Sequence, residues 1–102
     1  MCGILGFVGE MDFDLGDFYR ANNLMSHRGP DDSGTWKSDN DRVVLGHRRL
    51  SILDLSSNGS QPMQSLSGRF IISFNGEIYN HLEIRKNLEK EFNVSPKSWK
   101  GS

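Results

Sequence analysis

Apolar positions along this chain fall into short runs of two different periods, separated by clusters of glycine, proline and small polar residues. Residues 2–9 read Cys-Gly-Ile-Leu-Gly-Phe-Val-Gly, a nearly continuous apolar stretch that predicts a buried strand closed by a turn at Gly9. Cys2 would stand at the end of that strand, where a side chain faces a cleft. Asp14 suits the N-cap of a helix over residues 15–25, with Leu15, Phe18, Asn22 and Met25 at helical spacing and Ala21 and Leu24 close by. The apolar members of that face pack a core. Thr35-Trp36-Lys37 and residues 42–47 are β-prone runs on either side of Ser38-Asp39-Asn40-Asp41, which predicts a hairpin. Residues 68–74 are apolar almost without a break and predict a strand buried on both faces. Asn80 caps a last helix over residues 81–92, in which Leu82, Arg85, Leu88 and Phe92 share one face with Ile84 beside them. Residues 27–34, 56–63 and 75–77 read as loops, the last an Asn-Gly turn, and residues 94–102 as a further loop. The order is strand, helix, hairpin, strand, helix, a mixture of α and β.

Composition narrows the classes of function. At 102 residues the chain is one domain at most. Twelve basic against 13 acidic residues give a net charge of −1 with no long run of one sign, so neither a nucleic-acid nor a membrane surface is expected. A single cysteine excludes an internal disulfide and any multi-cysteine metal site. His27, His47 and His81 lie far apart without partners at ligand spacing, so no metal is assigned. No signal peptide is visible, no run approaches the roughly 20 apolar residues of a membrane span, and there is no phosphate-cradling glycine loop. The expected location is the cytoplasm.

The position of that one cysteine matters more than its number. Removal of the initiator methionine would leave Cys2 with a thiol and a free α-amine on the same residue. An unperturbed α-amine has a pKa of about 7.7–8.0 and a thiol about 8.5, close enough for one to deprotonate the other directly or through a water. That is how an N-terminal nucleophile is activated by its own amine. Arg49 reads either as a surface charge or as a planar guanidinium held against a carboxylate. The His27–Gly34 cluster suits a solvated turn or the wall of a polar pocket, and its composition does not choose between them.

Taken together, Met-Cys-Gly-Ile at the start, His-Arg-Gly-Pro-Asp-Asp-Ser-Gly from residue 27, Gly-His-Arg-Arg-Leu-Ser-Ile-Leu-Asp-Leu from 46, Gly-Ser-Gln-Pro-Met from 59 and Phe-Asn-Gly-Glu-Ile-Tyr-Asn from 74 resemble the class II glutamine amidotransferase domain. The wording is closest to the asparagine synthetase type, in the Pro30-Asp31-Asp32 loop and in Arg-Leu-Ser-Ile after His47. The resemblance implies hydrolysis of the glutamine side-chain amide to glutamate and ammonia, with Cys2 as nucleophile. Asn75 and Gly76 would form the oxyanion hole. Arg49, Leu50, Ser51, Ile52 and Leu53 would bind glutamine, Arg49 on its α-carboxylate, and Glu77 would meet its α-ammonium, at a subsite shared with Asn75 and Gly76. The implied fold is α+β, the four-layer αββα arrangement of N-terminal-nucleophile hydrolases.

The family's glutaminase domain runs well beyond this length, so residues 1–102 correspond to its N-terminal portion only. The glutaminase half takes no cofactor; ATP and Mg are expected only for a synthetase domain that lies outside this sequence. That domain and L-glutamine are the implied partners, and a homodimer is left open. Two other readings remain. The same module could serve an enzyme that amidates a carboxylated sugar, or it could be a non-catalytic binding module; the joint presence of Cys2, Arg49, Asn75, Gly76 and Glu77 argues against the latter.

Overall fold

Strand β3 (Val43–Arg49) is the centre of the molecule, because both neighbouring strands pair with it. The structure, a computed structural model, describes residues 2–10, 14–51 and 57–92. Strand β1 (Gly3–Val8) runs antiparallel to β3, with Gly3 opposite Arg48 and Val8 opposite Val43. Strand β2 (Asp32–Lys37) flanks β3 on its other side, with Asp32 opposite Arg49 and Lys37 opposite Val44. The β2–β3 hairpin forms where the β-prone runs predicted it. Ser38 N–H donates to the Val43 carbonyl at 2.9 Å, and Asp41 takes a φ of 58° in the left-handed region, which a short polar side chain tolerates. Pairing with β3 draws Asp32, Ser33 and Gly34 out of the predicted loop and into β2. A ladder partner therefore overrides the loop-forming composition of these residues.

Side chains alternate across a strand, so each face of the sheet can be read from the register. One face carries Gly3, Leu5, Val44, Gly46, Arg48 and Ser33. Helix α1 (Leu15–Leu24) packs there, capped by Asp14, whose Oδ1 accepts from the Gly16 N–H at 2.7 Å. Its buried residues are Phe18 and Asn22, one helical turn apart. Leu24 leaves the predicted core face and is 78% exposed. Asn22 donates through Nδ2 to Ser33 Oγ at 3.2 Å and lies directly over Gly46. A Cβ at Gly46 would stand 2.7 Å from Asn22 Oδ1 and 3.2 Å from Phe18 Cε1. Gly46→Ala is therefore expected to destabilise by about 1–3 kcal/mol, the usual range for overpacking. Urea unfolding of the variant checks this, and an unmoved midpoint would mean that α1 shifts without penalty.

The opposite face carries Ile4, Leu45, His47, Arg49, Asp32 and Gly34, and residues 61–74 lie against part of it. Gly34 sits so close to the Gln61 carbonyl and the Pro62 ring that no side chain fits there. Ser73 Oγ donates to the Gly46 carbonyl at 3.1 Å. The strand predicted over residues 68–74 is corrected to β5 (Ile71–Ile72), paired with a β4 (Met63–Gln64) that the sequence reading had placed in or beside a loop. Burial on both faces is also overturned, because Phe70 is 65% and Ile72 53% exposed. The pairing is short because the partner strand is only two residues long. Helix α2 (His81–Phe92) forms as predicted, yet none of its residues is buried. No helix among the described residues is long and apolar enough to cross a membrane. The predicted loop over residues 94–102 lies outside the described residues.

Candidate active site

The register of β3 assembles one end of the sheet. Continuing the β1–β3 pairing by one step places Cys2 beside Arg49, and Asp32 is the partner of Arg49 on the other side. Cys2, Arg49 and Asp32 thus form a row across three strands on the face opposite α1. Neighbours in such a row have Cβ atoms about 4.5–5.5 Å apart. Cys2 is buried, and its Sγ accepts from the Leu50 N–H at 3.3 Å and lies 3.8 Å from the Leu50 carbonyl. Arg28 Nε donates to the Cys2 carbonyl at 3.1 Å, fixing the backbone of the nucleophile candidate from the loop after α1.

Arg49 is 3% exposed, which decides against the surface-charge reading. Its guanidinium packs against the Cα of Gly59, where a side chain would collide with it. Beside it opens a cleft of about 550 Å³ lined by Asp31, Asp32, Arg49, Ser51, Ser57 and Ser60. The 27–34 cluster is therefore a pocket wall at Asp31 and Asp32. Asp31 Oδ2 accepts from the Ser51 N–H at 2.7 Å, and the Asp31 N–H donates to the Arg49 carbonyl at 3.0 Å. Asp32 accepts from Ser60 Oγ at 2.6 Å and from the Ser33 N–H at 2.8 Å. The Ser60 hydroxyl chiefly holds the Asp32 carboxyl below its ordinary value. Partial burial opposes this, while the Ser33 N–H, Arg49 and His47 add to it.

His47, treated in the sequence only as a metal-ligand candidate, is 1% exposed in the same face. Its Nε2 lies 3.2 Å from the Phe74 carbonyl, which bridges β3 to the segment carrying Asn75, Gly76 and Glu77. Burial pushes the imidazole below its ordinary value, with the Phe74 carbonyl opposing, Arg49 lowering and Asp32 raising it. Both shifts have the same consequence for stability. His47 and Asp32 take up protons more readily in the unfolded chain, so their contribution is present at neutral pH and lost on acidification. The His47 part is lost as the pH falls below about 6.5, and the Asp32 part below about 3.8. Acid titration of the unfolding midpoint should show the lower step vanish in Asp32→Asn; its persistence would assign that step to another carboxylate.

Of the residues expected in the site, Cys2, Arg49, Leu50 and Ser51 come together. Asn75, Gly76 and Glu77 lie beyond Phe74 with Gly76 and Glu77 exposed, and no hydrogen bond among the described residues joins them to Cys2. Ile52 and Leu53 lie outside the described residues. No group of three or more potential metal-binding side chains is present among the described residues. The sequence reading missed Asp31, Asp32, Ser57 and Ser60 as cleft residues and His47 as a bridge. Only the 27–34 composition hinted at any of them.

Residues 1–98 match the glutamine amidotransferase domain family. The chain belongs to that family. This amidotransferase chain is similar to asparagine synthetase B [glutamine-hydrolyzing] of Escherichia coli, 40% identical over 89 residues, which cover 83% of this chain and 15% of the relative. It is 43% identical over 91 residues to asparagine synthetase [glutamine-hydrolyzing] 1 of Lotus japonicus, covering 86% of this chain and 15% of that protein. Amidase chry2 of Gibberella zeae is 38% identical over 104 residues, covering 90% of the amidotransferase chain and 16% of the relative. The chain thus spans about one-sixth of the length of the curated relatives it matches.

Proposed function

We propose that this amidotransferase chain is the nucleophile-bearing part of a glutaminase that releases ammonia from L-glutamine for amidation of a carboxylate elsewhere in the full-length protein. The observation that carries the reading is the row of Cys2, Arg49 and Asp32, a buried thiol at the chain start beside a buried guanidinium that faces a polar cleft. With Met1 removed, the α-amine takes the thiol proton and Sγ attacks the amide carbon of glutamine. The tetrahedral oxyanion is met by the Asn75 side chain and the Gly76 N–H. Its collapse breaks the C–N bond and expels ammonia, protonated by the same amine, leaving a γ-glutamyl thioester. Water hydrolyses the thioester to glutamate and restores the thiol. Arg49 holds the α-carboxylate, residues 50–53 line the substrate, and Glu77 pairs with the α-ammonium.

The layering supports the αββα arrangement of N-terminal-nucleophile hydrolases: α1 covers one face of the sheet and residues 61–74 lie on the other. Residues 1–102 supply the N-terminal portion of that domain. Likeness to asparagine synthetases favours aspartate as the ammonia acceptor, with ATP and Mg used in sequence beyond the matched stretch. Incubating the full-length protein with glutamine, with acid quench and intact-mass analysis, tests the glutaminase step. A γ-glutamyl adduct on the chain bearing Cys2, with glutamate and ammonia in equal amounts, is expected. Ammonia release without any adduct on that chain would overturn the reading.

A further inference from the structure

We infer that His47 is a positioning residue that holds the peptide leading into the Asn75–Gly76 segment, and that it does so as the neutral imidazole carrying its proton on Nε2. This rests on the glutaminase reading and adds to it a residue outside the expected machinery. A carbonyl oxygen only accepts, so the 3.2 Å contact between His47 Nε2 and the Phe74 carbonyl requires a proton on Nε2. His47 Nδ1 has no hydrogen-bond partner among the described residues, and the residue is 1% exposed. A proton on Nδ1 would therefore be a buried donor without an acceptor, which is costly.

Of the charged groups around the ring, Arg49 also disfavours a second positive charge, while Asp32 opposes this effect. On its own strand, Arg49 repeats at the spacing that keeps both side chains on one face. Its register partner on β2 is Gly34; Asp32, opposite Arg49 on the same face, is already engaged by Ser60 and by the Ser33 N–H. The register partner on β1 is Ile4, and residues 61–74 present Gln61 and Phe74, none of them titratable. A second positive charge on His47 would thus sit beside Arg49, with the nearby Asp32 carboxylate already hydrogen-bonded.

The bond is placed where it affects the reaction. Phe74 immediately precedes Asn75, and the segment is pinned three times: His47 Nε2 to the Phe74 carbonyl at 3.2 Å, Ser73 Oγ to the Gly46 carbonyl at 3.1 Å, and the Phe74 N–H to Gln61 Oε1 at 2.6 Å. The His47 contact holds the carbonyl of the peptide that leads into Asn75. An oxyanion donor acts on the transition state rather than on the bound substrate, so its displacement lowers kcat more than it raises KM. The full-length protein carrying His47→Leu is expected to lose about 10–100-fold in kcat for glutamine hydrolysis with KM changed less than about threefold, the scale of a misplaced catalytic group and below the roughly 10²–10³-fold of a missing oxyanion donor. His47→Gln keeps an N–H near the Nε2 position and should restore most of that loss. Because it does not titrate, its kcat should also fall less than the wild-type value from about pH 7 to about pH 5.

Imidazole-nitrogen NMR of the wild-type protein should show His47 with its proton on Nε2. A proton on Nδ1 in a protein that still hydrolyses glutamine would overturn this inference alone, as would equal losses in the Leu and Gln variants. Undiminished hydrolysis in Cys2→Ala with the Nε2 proton in place would instead overturn the glutaminase reading on which it rests.

Discussion

Replacing Cys2 by alanine is expected to lower glutamine hydrolysis by at least about 10³-fold, the scale on which the loss of a covalent nucleophile is felt. The side chain is small and buried, and among the described residues its Sγ contacts only the Leu50 backbone, accepting from the N–H and lying 3.8 Å from the carbonyl. Alanine removes the sulfur while leaving the paired ends of β1 and β3 intact, so the loss should not come from unfolding. Amidation driven by added ammonia bypasses this site and provides the control: it should persist in Cys2→Ala. The same loss is expected in a chain whose Met1 is retained, because the nitrogen of Cys2 is then an amide and no longer a base. Hydrolysis at the wild-type rate in either protein would remove Cys2 from the mechanism.

The second large effect is at Arg49. A guanidinium presents a planar fork that donates two parallel hydrogen bonds to a carboxylate, and an ammonium does not. Arg49→Lys should therefore raise KM for glutamine about 10–100-fold while leaving kcat within a few-fold, since a charged hydrogen bond is worth about 1.5–3 kcal/mol. Gly59 offers an independent approach to the same group. A side chain there would collide with the guanidinium, so Gly59→Ala should displace Arg49 and raise KM in the same direction without altering its charge. Initial-rate kinetics on the full-length variants measure both. An unchanged KM in Arg49→Lys would leave Arg49 a buried structural cation that the substrate does not touch.

Local sterics and periodicity wrote much of the secondary structure into the sequence. The glycine-closed apolar run became β1, the Asp14 cap and 3.6-residue spacing became α1, the polar four-residue connection became the β2–β3 hairpin, and Asn80 preceded α2. Each depends on contacts between residues close in the chain, which is why a linear pattern reports them. The motifs likewise made family membership legible from the residues alone, because they follow in one order over most of the chain.

What the linear pattern could not settle were outcomes of long-range pairing. Whether Asp31 and Asp32 formed a solvated turn or a cleft wall depended on β2 aligning Asp32 with Arg49, a partner 17 positions away in the sequence. Whether Arg49 was a surface charge or a buried one depended on Gly59 and on the two strands that flank β3 closing around it. The apolar run over residues 68–74 promised a long, doubly buried strand. Strand length is set by the partner, and β4 offers only Met63 and Gln64. His47 carried no local signal, because its hydrogen bond reaches across 27 residues to a backbone carbonyl. The sequence alone therefore determined β1, the two helices, the hairpin and the family. Register and packing in three dimensions decided which polar groups share a cleft, which charges are buried and which peptide the imidazole holds, because a β-sheet joins residues that its sequence keeps far apart.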